Sequence, residues 1–412
     1  MSEKLISVEE ARARILEAIT PLGDEEISLS ASAGRVLAAP ITAARAQPPG
    51  AVSAMDGYAV IAADVGATGA ELEVTGSIGA GDDPEFTLTH GTAARIFTGA
   101  LLPAGADAVI AQEDVVPLEG KRIRINETAS PGKHVRRAGS DFNAGDTVLK
   151  PGRLIDGRAI ALAAAMNASR IRVRRRPRVA VLATGNELVP LGAQTSRHQI
   201  VASTGPALAA ALAKWGAEPL DLGIAPDDES RIAQSIAHGR NADLLVTLGG
   251  ASVGDHDLVQ KSLQTLGFEL GFWKIAMKPG KPLIFGRLGR LPVIGLPGNP
   301  VSSLICALIF IRPAICAMLG RLTERGEPDI ELPSSMGILA HDVPENGQRL
   351  DFLRGRTEPQ PGAAPLVHVS PRQDSNQLSV LALADCLLPR TPFAPASKAG
   401  APQRLISLEG LF

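Results

Sequence analysis

The sequence predicts a multidomain protein of α/β plus β class. Its 412 residues are 45% hydrophobic, which is more than one hydrophobic core usually holds and favours roughly two to four compact domains. Short β-type runs fill much of the first half, strands alternate with helices from Arg178 to about Arg325, and Pro- and Gly-rich sequence with short strands follows. These observations predict a β-rich module, an α/β domain and a small C-terminal β domain, in that order.

The N-terminal part predicts a helix followed by a β module. Apolar residues recur at helical spacing from Val8 to Ile19, and a breaker at Pro21 follows. From about Ala46 to Thr147 the pattern changes to runs such as Glu71 to Thr75 and Arg122 to Ile125, separated by Gly, Pro and Asp turns. We therefore expect a scaffold helix and then a separate, mainly β module.

The middle of the chain predicts a parallel sheet covered by helices. A helical stretch, Asp156 to Met166, precedes the basic cluster Arg170 to Arg178, which favours a solvated domain linker over an anion site. The apolar run Val179 to Ala183 is typical of a buried parallel strand. The alternation then continues with helix 205–215, strand 218–223, helix 228–238, strand 244–247 and helix 257–266. The C-terminal strand candidates are Val367 to Val369 and Arg404 to Leu408.

Composition excludes several functional classes. The formal charge of -2 offers no polycationic surface for nucleic acid. The cysteines Cys306, Cys316 and Cys386 form no CxxC pair, which suits a reducing compartment, and we interpret them as buried apolar residues. No export signal is visible at the N-terminus, and the longest apolar stretch, near Val301 to Ile311, is too short to span a bilayer. We expect a soluble, cytoplasmic protein without membrane partners.

Three loops that follow predicted strands should converge, because ligands of open parallel sheets bind beyond the carboxyl ends of the strands. In 184–188, Gly185 permits a tight turn and Glu187 is either a site carboxylate or a surface acid. In 247–257, glycines let backbone N–H groups approach a phosphate, and Asp257 is an N-cap, a metal ligand or both. In 277–282, Lys278 and Lys281 lie on a segment stiffened by prolines, which suits an oxyanion.

Two further features belong to the same region. The loop 295–302 is shaped by Pro and Gly and precedes an apolar helix from Ser303 to Ile311; by itself it could be only a helix-start turn. Asp227 and Asp228 follow a predicted strand, and together with Glu187 and Asp257 they supply carboxylates for Mg²⁺ bridging phosphates. No Cys/His pattern for structural zinc is present in the sequence.

Taken together, these motifs resemble the molybdopterin molybdenumtransferase (MoeA) family. The matching segments, in family order, are Ser53-Ala-Met-Asp-Gly-Tyr-Ala59, Thr98-Gly-Ala-Leu-Leu-Pro-Ala-Gly-Ala-Asp107, Thr184-Gly-Asn-Glu-Leu188, Gly249-Gly-Ala-Ser-Val-Gly254, Met277-Lys-Pro-Gly-Lys-Pro282 and Leu296-Pro-Gly-Asn-Pro300. The resemblance implies a helical/β scaffold (1–45 and 148–177), a β-rich lid (46–147), a three-layer α/β molybdopterin-binding domain (178–326) and a C-terminal β-barrel (327–412). It also implies an elongated homodimer, whose cleft lies between the α/β domain of one subunit and the lid of the other.

The resemblance assigns roles residue by residue. Catalytic residues would be Asp56, Thr98 and Asp141 of the lid, Glu187 and Asp227 of the α/β domain, and Lys274, Lys278 and Lys281, which would handle phosphate or molybdate charge. Mg²⁺ would be held by Asp257, Asp227 and Glu187. The substrate would also meet Gly249, Gly250, Ser252, Pro297, Gly298, Asn299 and Pro300, with Arg354 and either Ser375 or Ser379 near the oxyanion.

The implied reaction joins adenylylated molybdopterin and molybdate to give molybdenum cofactor, AMP and water. Implied partners are a second copy of the chain, a molybdopterin adenylyltransferase and molybdoenzyme apoproteins. The chain departs from the family at Ile200 to Thr204, where an Asp and an Asn are usual, at Ala251, and at Asn186, where an Asp is usual. The alternatives are a molybdopterin adenylyltransferase, a non-catalytic scaffold, and a pterin-binding paralogue that serves another metal or a dedicated downstream enzyme.

Overall fold

The scaffold region combines two helices with short strands. The structure is a computed structural model that describes residues 5–250 and 258–412. The first helix, Val8–Glu17, is capped by Ser7 and buries Val8, Ala11 and Ile15, which confirms the predicted helical face. The second, Gly157–Ala165, is capped by Asp156, whose carboxylate accepts from the Ala159 N–H at 2.8 Å. A single-turn 3₁₀ helix, Leu29–Ala31, and the antiparallel pair Ile41–Thr42 with Thr147–Leu149 complete this region.

The basic cluster is a strand, so the linker prediction was wrong for residues 170–174. Arg170–Arg174 pairs antiparallel with Asp24–Ser28. The arginine side chains on the exposed face meet acidic residues of the partner strand: Arg170 Nε lies 2.7 Å from Glu26 and Arg172 Nη2 lies 2.9 Å from Asp24. Cross-strand charge pairs of this kind stabilise a register that the linear sequence does not reveal, because the partners are far apart along the chain.

The β-rich region contains a six-stranded mixed sheet with apolar residues on both faces. Its strands, in spatial order, are Ala108–Ala111, Gly57–Val60, Thr92–Ile96, Ala70–Ile78, Arg122–Ile125 and Val115–Pro117. Two 3₁₀ turns, Ala62–Val65 and Gln112–Asp114, and the small pair Val52–Ser53 with Val135–Arg136 lie beside it. The two predicted strand runs in this region therefore lie within observed strands.

The α/β region is a six-stranded sheet between two apolar layers. Its spatial order is Glu218–Ala225, Arg178–Thr184, Leu244–Leu248, Leu291–Leu296, Ile284–Leu288 and Phe268–Trp273. Alternate residues of the second strand face opposite layers: Val179 and Val181 pack in one core, Ala180 and Leu182 in the other. The helices of this region are Thr204–Lys214, Glu229–His238, Leu258–Thr265, Pro300–Cys306 and Arg312–Met318.

The three predicted strands are parallel, as expected, and the sheet also has an antiparallel edge that was not predicted. The first four strands are parallel, but Ile284–Leu288 runs antiparallel to both of its neighbours. A two-residue turn with Gly289 at φ +62° connects this strand to Leu291–Leu296. A parallel pairing needs a crossover of about a dozen residues or more, so this connection permits only a hairpin.

The apolar helix near the end of this region is longer than predicted. Pro300–Cys306, a π-helical segment Ala307–Ile311 and Arg312–Met318 form one continuous helical run. By length and composition its 19 residues could cross a membrane, but 94% of the apolar window is buried inside the protein. Packing in the core therefore accounts for its hydrophobicity.

The C-terminal region is a closed five-stranded β-barrel. Leu350–Gln360 pairs with both Ala363–Val369 and Cys386–Arg390, and Ser334–Leu339 and Pro402–Ser407 complete the ring. A short helix, Leu378–Ala382, follows one barrel strand. The strand Met277–Lys278 also pairs with Leu350–Asp351, although it comes from the α/β part of the chain. The three cysteines are buried free thiols as predicted, and burial raises the pKa of Cys386 to about 12. The exact domain boundaries stay predictions.

Candidate active site

A large cavity lies where the parallel strands end. This cavity, which we call the α/β pocket, has a volume of about 750 Å³. The loops that follow Arg178–Thr184, Glu218–Ala225, Leu244–Leu248 and Leu291–Leu296 all contribute to its lining. Of the three loops predicted to converge, 184–188 and the described part of 247–257 meet at this cavity, as expected for the carboxyl edge of an open sheet, whereas 277–282 contributes only Pro282 to the described lining. The loop 297–300 takes part as well.

The first loop folds a carboxylate back over a glycine. Gly185 has φ +147°, and a Cβ added there would lie 2.6 Å from an Oε atom of Glu187. Glycine therefore makes room for the Glu187 side chain, which is exposed and lines the α/β pocket. The carbonyl of Glu187 accepts from the Ile200 N–H at 2.8 Å, within a short parallel pairing of Leu188–Val189 with Ile200–Val201.

Asn186 joins this loop to the next one through a reciprocal pair of hydrogen bonds. Its backbone N–H donates to Asp227 Oδ2 at 3.1 Å, and its side-chain Oδ1 accepts from the Asp227 N–H at 3.0 Å. A carboxylate in place of the Asn186 amide would put a second negative charge beside Asp227. The amide thus keeps the two loops together and leaves Asp227 exposed in the pocket.

Asp228 serves as a helix cap, which corrects the expectation that it supplies a metal-binding carboxylate. Its Oδ1 accepts from the Arg231 N–H at 2.9 Å and from the Ser230 hydroxyl at 2.6 Å, at the start of helix Glu229–His238. The Ser230 hydroxyl and the Arg231 N–H lower the pKa of Asp228 below its ordinary value. The described residues that line the α/β pocket include Asp227 and not Asp228.

Two glycine loops meet at the floor of the α/β pocket. Gly249 and Gly250 have φ of +94° and +64°, and a Cβ on Gly249 would lie 2.9 Å from the Thr184 carbonyl oxygen. A Cβ on Gly298 would lie 3.8 Å from the Gly249 Cα. Backbone at this site can therefore approach a ligand closely. The predicted contacts at Ser252 and Asp257 lie outside the described residues.

The fourth loop connects the α/β pocket to the barrel. Pro297, Gly298, Asn299 and Pro300 all line the pocket. Asn299 lies at the N-cap position of the apolar helix, with Pro300 in the first turn, where a missing N–H costs nothing. The Asn299 side chain is not used for capping; its Nδ2 donates to Ser375 Oγ of the barrel region at 2.9 Å.

The barrel contributes one pocket residue that sequence reasoning missed. Asn376 lines the α/β pocket next to Ser375, whereas Ser379 is not among the described residues that line it. The sequence gives no local signal for Asn376, because only the fold brings residue 376 beside residue 299. Arg354 is 0% exposed and is likewise absent from the described lining. Its Nη2 donates to the Asp374 carbonyl at 3.2 Å, and burial lowers its pKa.

The predicted lysines are not among the described residues that line the α/β pocket. Pro282 lines the pocket. Lys278 forms an ion pair with Asp351 at 3.0 Å and borders a second cavity of about 720 Å³ at one end of the barrel, which we call the barrel cavity. The Lys274 ammonium lies 3.5 Å from the centroid of the Trp273 ring. Lys281 is exposed, one residue before Pro282.

Of the predicted lid residues, Asp56 and Thr98 contact each other. Asp56 Oδ1 accepts from both the N–H and the hydroxyl of Thr98, each at 2.7 Å, and these bonds lower the pKa of Asp56. Asp141 is exposed, and its N–H donates to the Gln47 carbonyl at 3.0 Å. Within one chain, these three residues are separate from the described lining of the α/β pocket.

A metal site is not complete in the described part of the chain. Over residues 5–250 and 258–412, no three His, Cys, Asp or Glu side chains are grouped closely enough to hold a metal ion. Glu187 and Asp227 both line the α/β pocket, so two of the three predicted ligands face the same space. A third ligand would have to come from elsewhere, for example from residue 257.

Comparisons with known proteins agree over most of the chain. Residues 6–167 match the family described as "MoeA N-terminal region (domain I and II)", residues 180–317 the "Probable molybdopterin binding domain" and residues 336–399 the "MoeA C-terminal region (domain IV)". A molybdopterin molybdenumtransferase of Nostoc sp. is 38% identical over 340 residues, which cover 80% of this chain and 76% of that protein. The enzyme of the same name from Haemophilus influenzae is 35% identical over 353 residues, covering 85% and 86%.

The fold agrees as well. Two crystal structures of molybdopterin biosynthesis MoeA protein from Pyrococcus horikoshii superpose on this chain with TM-scores of 0.82 and 0.83. They are 31% and 26% identical in sequence, and each alignment covers 98% of this chain. The alignments cover 99% and 100% of those structures.

Proposed function

This chain belongs to the molybdopterin molybdenumtransferase (MoeA) family, whose members insert molybdenum during molybdenum cofactor biosynthesis, and from this premise we propose that its substrates are adenylylated molybdopterin and molybdate. The dithiolene sulfurs bind molybdenum, and an oxygen of the incoming molybdate leaves as water. The two thiol protons leave with that oxygen, and a second molybdate oxygen takes the place of AMP on the pterin phosphate as the pyrophosphate bond breaks, so that AMP leaves. The overall products are molybdenum cofactor, AMP and water.

The observation that carries the proposal is the meeting of the two glycine loops beside two exposed carboxylates. The backbone at Gly249 lies too close to the Thr184 carbonyl for a side chain, and Gly298 lies against it, which suits a pyrophosphate bound by main-chain N–H groups. A pocket of about 750 Å³ is large enough for a pterin nucleotide, because small-molecule sites usually measure roughly 300–1,000 Å³. Glu187 and Asp227 are available to accept hydrogen bonds from ring or ribose donors.

One wall of the α/β pocket is apolar. Leu188, Ile200, Val201 and Ala202 line it, and the Ile200 side chain is 58% exposed. An exposed isoleucine at a pocket wall offers a flat surface to a planar ring, and burying it would stabilise the complex. We therefore propose that the segment 200–204 binds a substrate ring by contact, at the place where the family usually has polar residues.

The charge on the cleaved phosphate and on molybdate needs donors near the pocket. Lys281 is exposed next to Pro282, which lines the pocket, so it is the best placed of the three predicted lysines. Lys278 is paired with Asp351 and would act mainly by joining the barrel to the α/β sheet. Preorganised cations near developing negative charge lower the barrier without moving during the reaction.

Magnesium and a second subunit complete the proposal. The residues proposed to hold Mg²⁺ are Glu187, Asp227 and Asp257, and the described residues supply two of these carboxylates but no complete cluster. In the proposed homodimer, Asp56, Thr98 and Asp141 of the lid would face the α/β pocket of the other copy. A molybdopterin adenylyltransferase would supply the substrate, and molybdoenzyme apoproteins would accept the product, in the cytoplasm.

The test is AMP release from adenylylated molybdopterin by the purified protein, with and without molybdate and with and without Mg²⁺. We expect AMP and metal-loaded pterin to form together, and only when molybdate is present. Release without molybdate would indicate a simple hydrolase. Tight binding without turnover would favour a carrier or scaffold over an enzyme. The molar mass of the same sample in solution tests the proposed homodimer.

A further inference from the structure

The barrel reaches the α/β pocket through one segment, residues 370–376, which we call the rim loop. It connects the barrel strand Ala363–Val369 to the short helix Leu378–Ala382. Near its end, Ser375 Oγ accepts a hydrogen bond from Asn299 Nδ2 at 2.9 Å, and Asn376 lines the pocket. The position of these two side chains therefore depends on what holds the rim loop to the barrel.

Gln373 ties the middle of the rim loop to the barrel wall. Its Oε1 accepts from the Arg354 N–H at 3.0 Å, and its Nε2 donates to the Arg354 carbonyl at 3.0 Å. The same Nε2 also donates to the Ser370 carbonyl at 2.8 Å. The side-chain amide thus pairs with the backbone of strand Leu350–Gln360 as a neighbouring strand would, and both of its N–H donors are used.

Arg354 also holds the rim loop through its own hydrogen bonds. Its carbonyl accepts from the Ser370 N–H at 2.9 Å, and its Nη2 donates to the Asp374 carbonyl at 3.2 Å. The side chain is fully buried, and its Nε and Nη1 have no hydrogen-bond partner among the described residues. Residues 370, 373 and 374 are therefore fixed to one barrel residue, immediately before Ser375 and Asn376.

We propose that Gln373 is a positioning residue for the reaction: by holding the rim loop on Arg354, it sets Ser375 and Asn376 at the distance from the α/β pocket that oxyanion binding requires. The inference rests on the proposed function, in which molybdate binds at this edge of the pocket. Hydroxyl and amide donors bind a small anion well only when they are aligned beforehand. Gln373 itself does not line the α/β pocket and acts through its neighbours.

The first test replaces Gln373 with methionine, which has a similar shape but makes none of the three hydrogen bonds. We expect the molybdate concentration for half-maximal AMP release to rise about tenfold, because small displacements of binding groups have large effects. The rate at saturating molybdate and the affinity for adenylylated molybdopterin should change by less than about twofold, because the rest of the pocket is intact. Gln360→Met, on the same barrel strand, is the matched control. An unchanged molybdate dependence in Gln373→Met would overturn the inference.

A double-mutant cycle separates positioning from general stability. In a Ser375→Ala/Asn376→Ala background, Gln373→Met should change the molybdate dependence by less than about twofold, because the side chains it positions are already gone. A full additional tenfold effect in that background would show that Gln373 acts by another route, and would overturn the proposal.

Amide hydrogen exchange of the substrate-free protein distinguishes failure of this inference from failure of the proposed function. Exchange over residues 371–376 should be faster in Gln373→Met than in the wild type, with the other barrel strands unchanged. If the wild type releases no AMP with molybdate, the proposed function fails. Faster exchange in Gln373→Met would still support the role of Gln373 in holding the rim loop, and unchanged exchange would refute that role. If the wild type is active and Gln373→Met has both normal molybdate use and normal exchange, only the inference about Gln373 fails.

Discussion

The α/β pocket and the barrel cavity enclose almost the same volume, about 750 and 720 Å³, but they use their polar side chains differently. Glu187 and Asp227 are exposed at the α/β pocket, so a ligand can reach them. In the barrel cavity, Asp351 and Arg390 are each 4% exposed. Asp351 pairs with Lys278 and Arg390 donates to Ser397, while Asp351 Oδ1 and Arg390 Nε have no hydrogen-bond partner among the described residues. The two cavities are thus similar in size but not in lining: exposed Glu187 and Asp227 line the first, whereas the second surrounds its buried charged side chains with exposed ones such as Lys278 and Glu345.

The largest effect we expect on stability is from Arg390→Met. Arg390 donates to Ser397 Oγ at 2.6 Å and to the carbonyls of Pro344 and Pro395 at 3.2 and 2.5 Å. Loss of these charge-assisted bonds should lower the free energy of unfolding by about 3 kcal/mol. Urea denaturation measures it, and Lys398→Met, which breaks only an exposed ion pair, should cost less than about 1 kcal/mol. A stable Arg390→Met protein that no longer releases AMP would break the comparison, because the barrel cavity would then bind a ligand.

At the α/β pocket, replacing an exposed side chain that a ligand can reach should reduce activity and leave stability unchanged. Glu187→Gln keeps the shape of an exposed side chain but removes its charge, so the free energy of unfolding should change by less than about 0.5 kcal/mol. AMP release should fall about 100-fold, which corresponds to roughly 2.7 kcal/mol of barrier. Glu218→Gln, an exposed residue at the opposite end of the sheet, is the control and should retain full activity. Equal activity of the two variants would remove Glu187 from the site.

Replacing a glycine of the α/β pocket should have a somewhat smaller effect. Comparison with a glycine elsewhere separates the cost of a steric clash from the cost of a positive φ. Gly249 and Gly192 both have positive φ, but only Gly249 has an atom, the Thr184 carbonyl oxygen, 2.9 Å from where a Cβ would lie. Gly249→Ala should destabilise by about 2 kcal/mol and Gly192→Ala by about 1 kcal/mol. Calorimetric binding of adenylylated molybdopterin should weaken only for Gly249→Ala. If the two variants lost the same stability and bound adenylylated molybdopterin equally well, the close contact at Gly249 would not be required for binding.

The smallest expected effect is on the pKa of the lid carboxylate Asp56, which, unlike the exposed carboxylates of the α/β pocket, is bonded to a neighbouring hydroxyl. Thr98→Val removes the hydroxyl bond to Asp56 and keeps the N–H bond, so the depressed pKa of Asp56 should rise toward the ordinary value of 3.8. A depressed pKa contributes stability that is present above pH 3.8 and is lost as the pH falls through the folded-state value. The variant should therefore lose part of this contribution. NMR titration measures the shift, with Asp228 as an internal control that should not move.

Sequence reasoning located the α/β pocket because topology alone brings the strand ends together. Gly185, Glu187, Gly249 and Asn299 follow strands or precede helices that periodicity identifies, so their loops had to meet. Long-range side-chain pairing is different, since it depends on packing between distant segments. Lys278 meets Asp351, 73 residues further on, through such a contact, and nothing near Lys278 in the sequence indicates it.

The same reason explains the other failures. The arginines of 170–174 were assigned to a linker because their acidic partners lie about 146 residues away on another strand; for example, Arg172 meets Asp24 across a separation of 148. Asp228 was expected to supply a metal-binding carboxylate, but it caps a helix through its bond to the Arg231 N–H and is not among the described residues that line the pocket. Asn376 has no pattern of its own and becomes a pocket residue only through the barrel.

The strand Met277–Lys278 connects the barrel to the lining of the α/β pocket. Its residues pair with the barrel strand at Leu350 and Asp351, and the same segment ends at Pro282 in the pocket lining. Prolines at 279 and 282 limit how far this short connection can bend or stretch. A displacement of the barrel would therefore reach the pocket wall through a short and stiff connection.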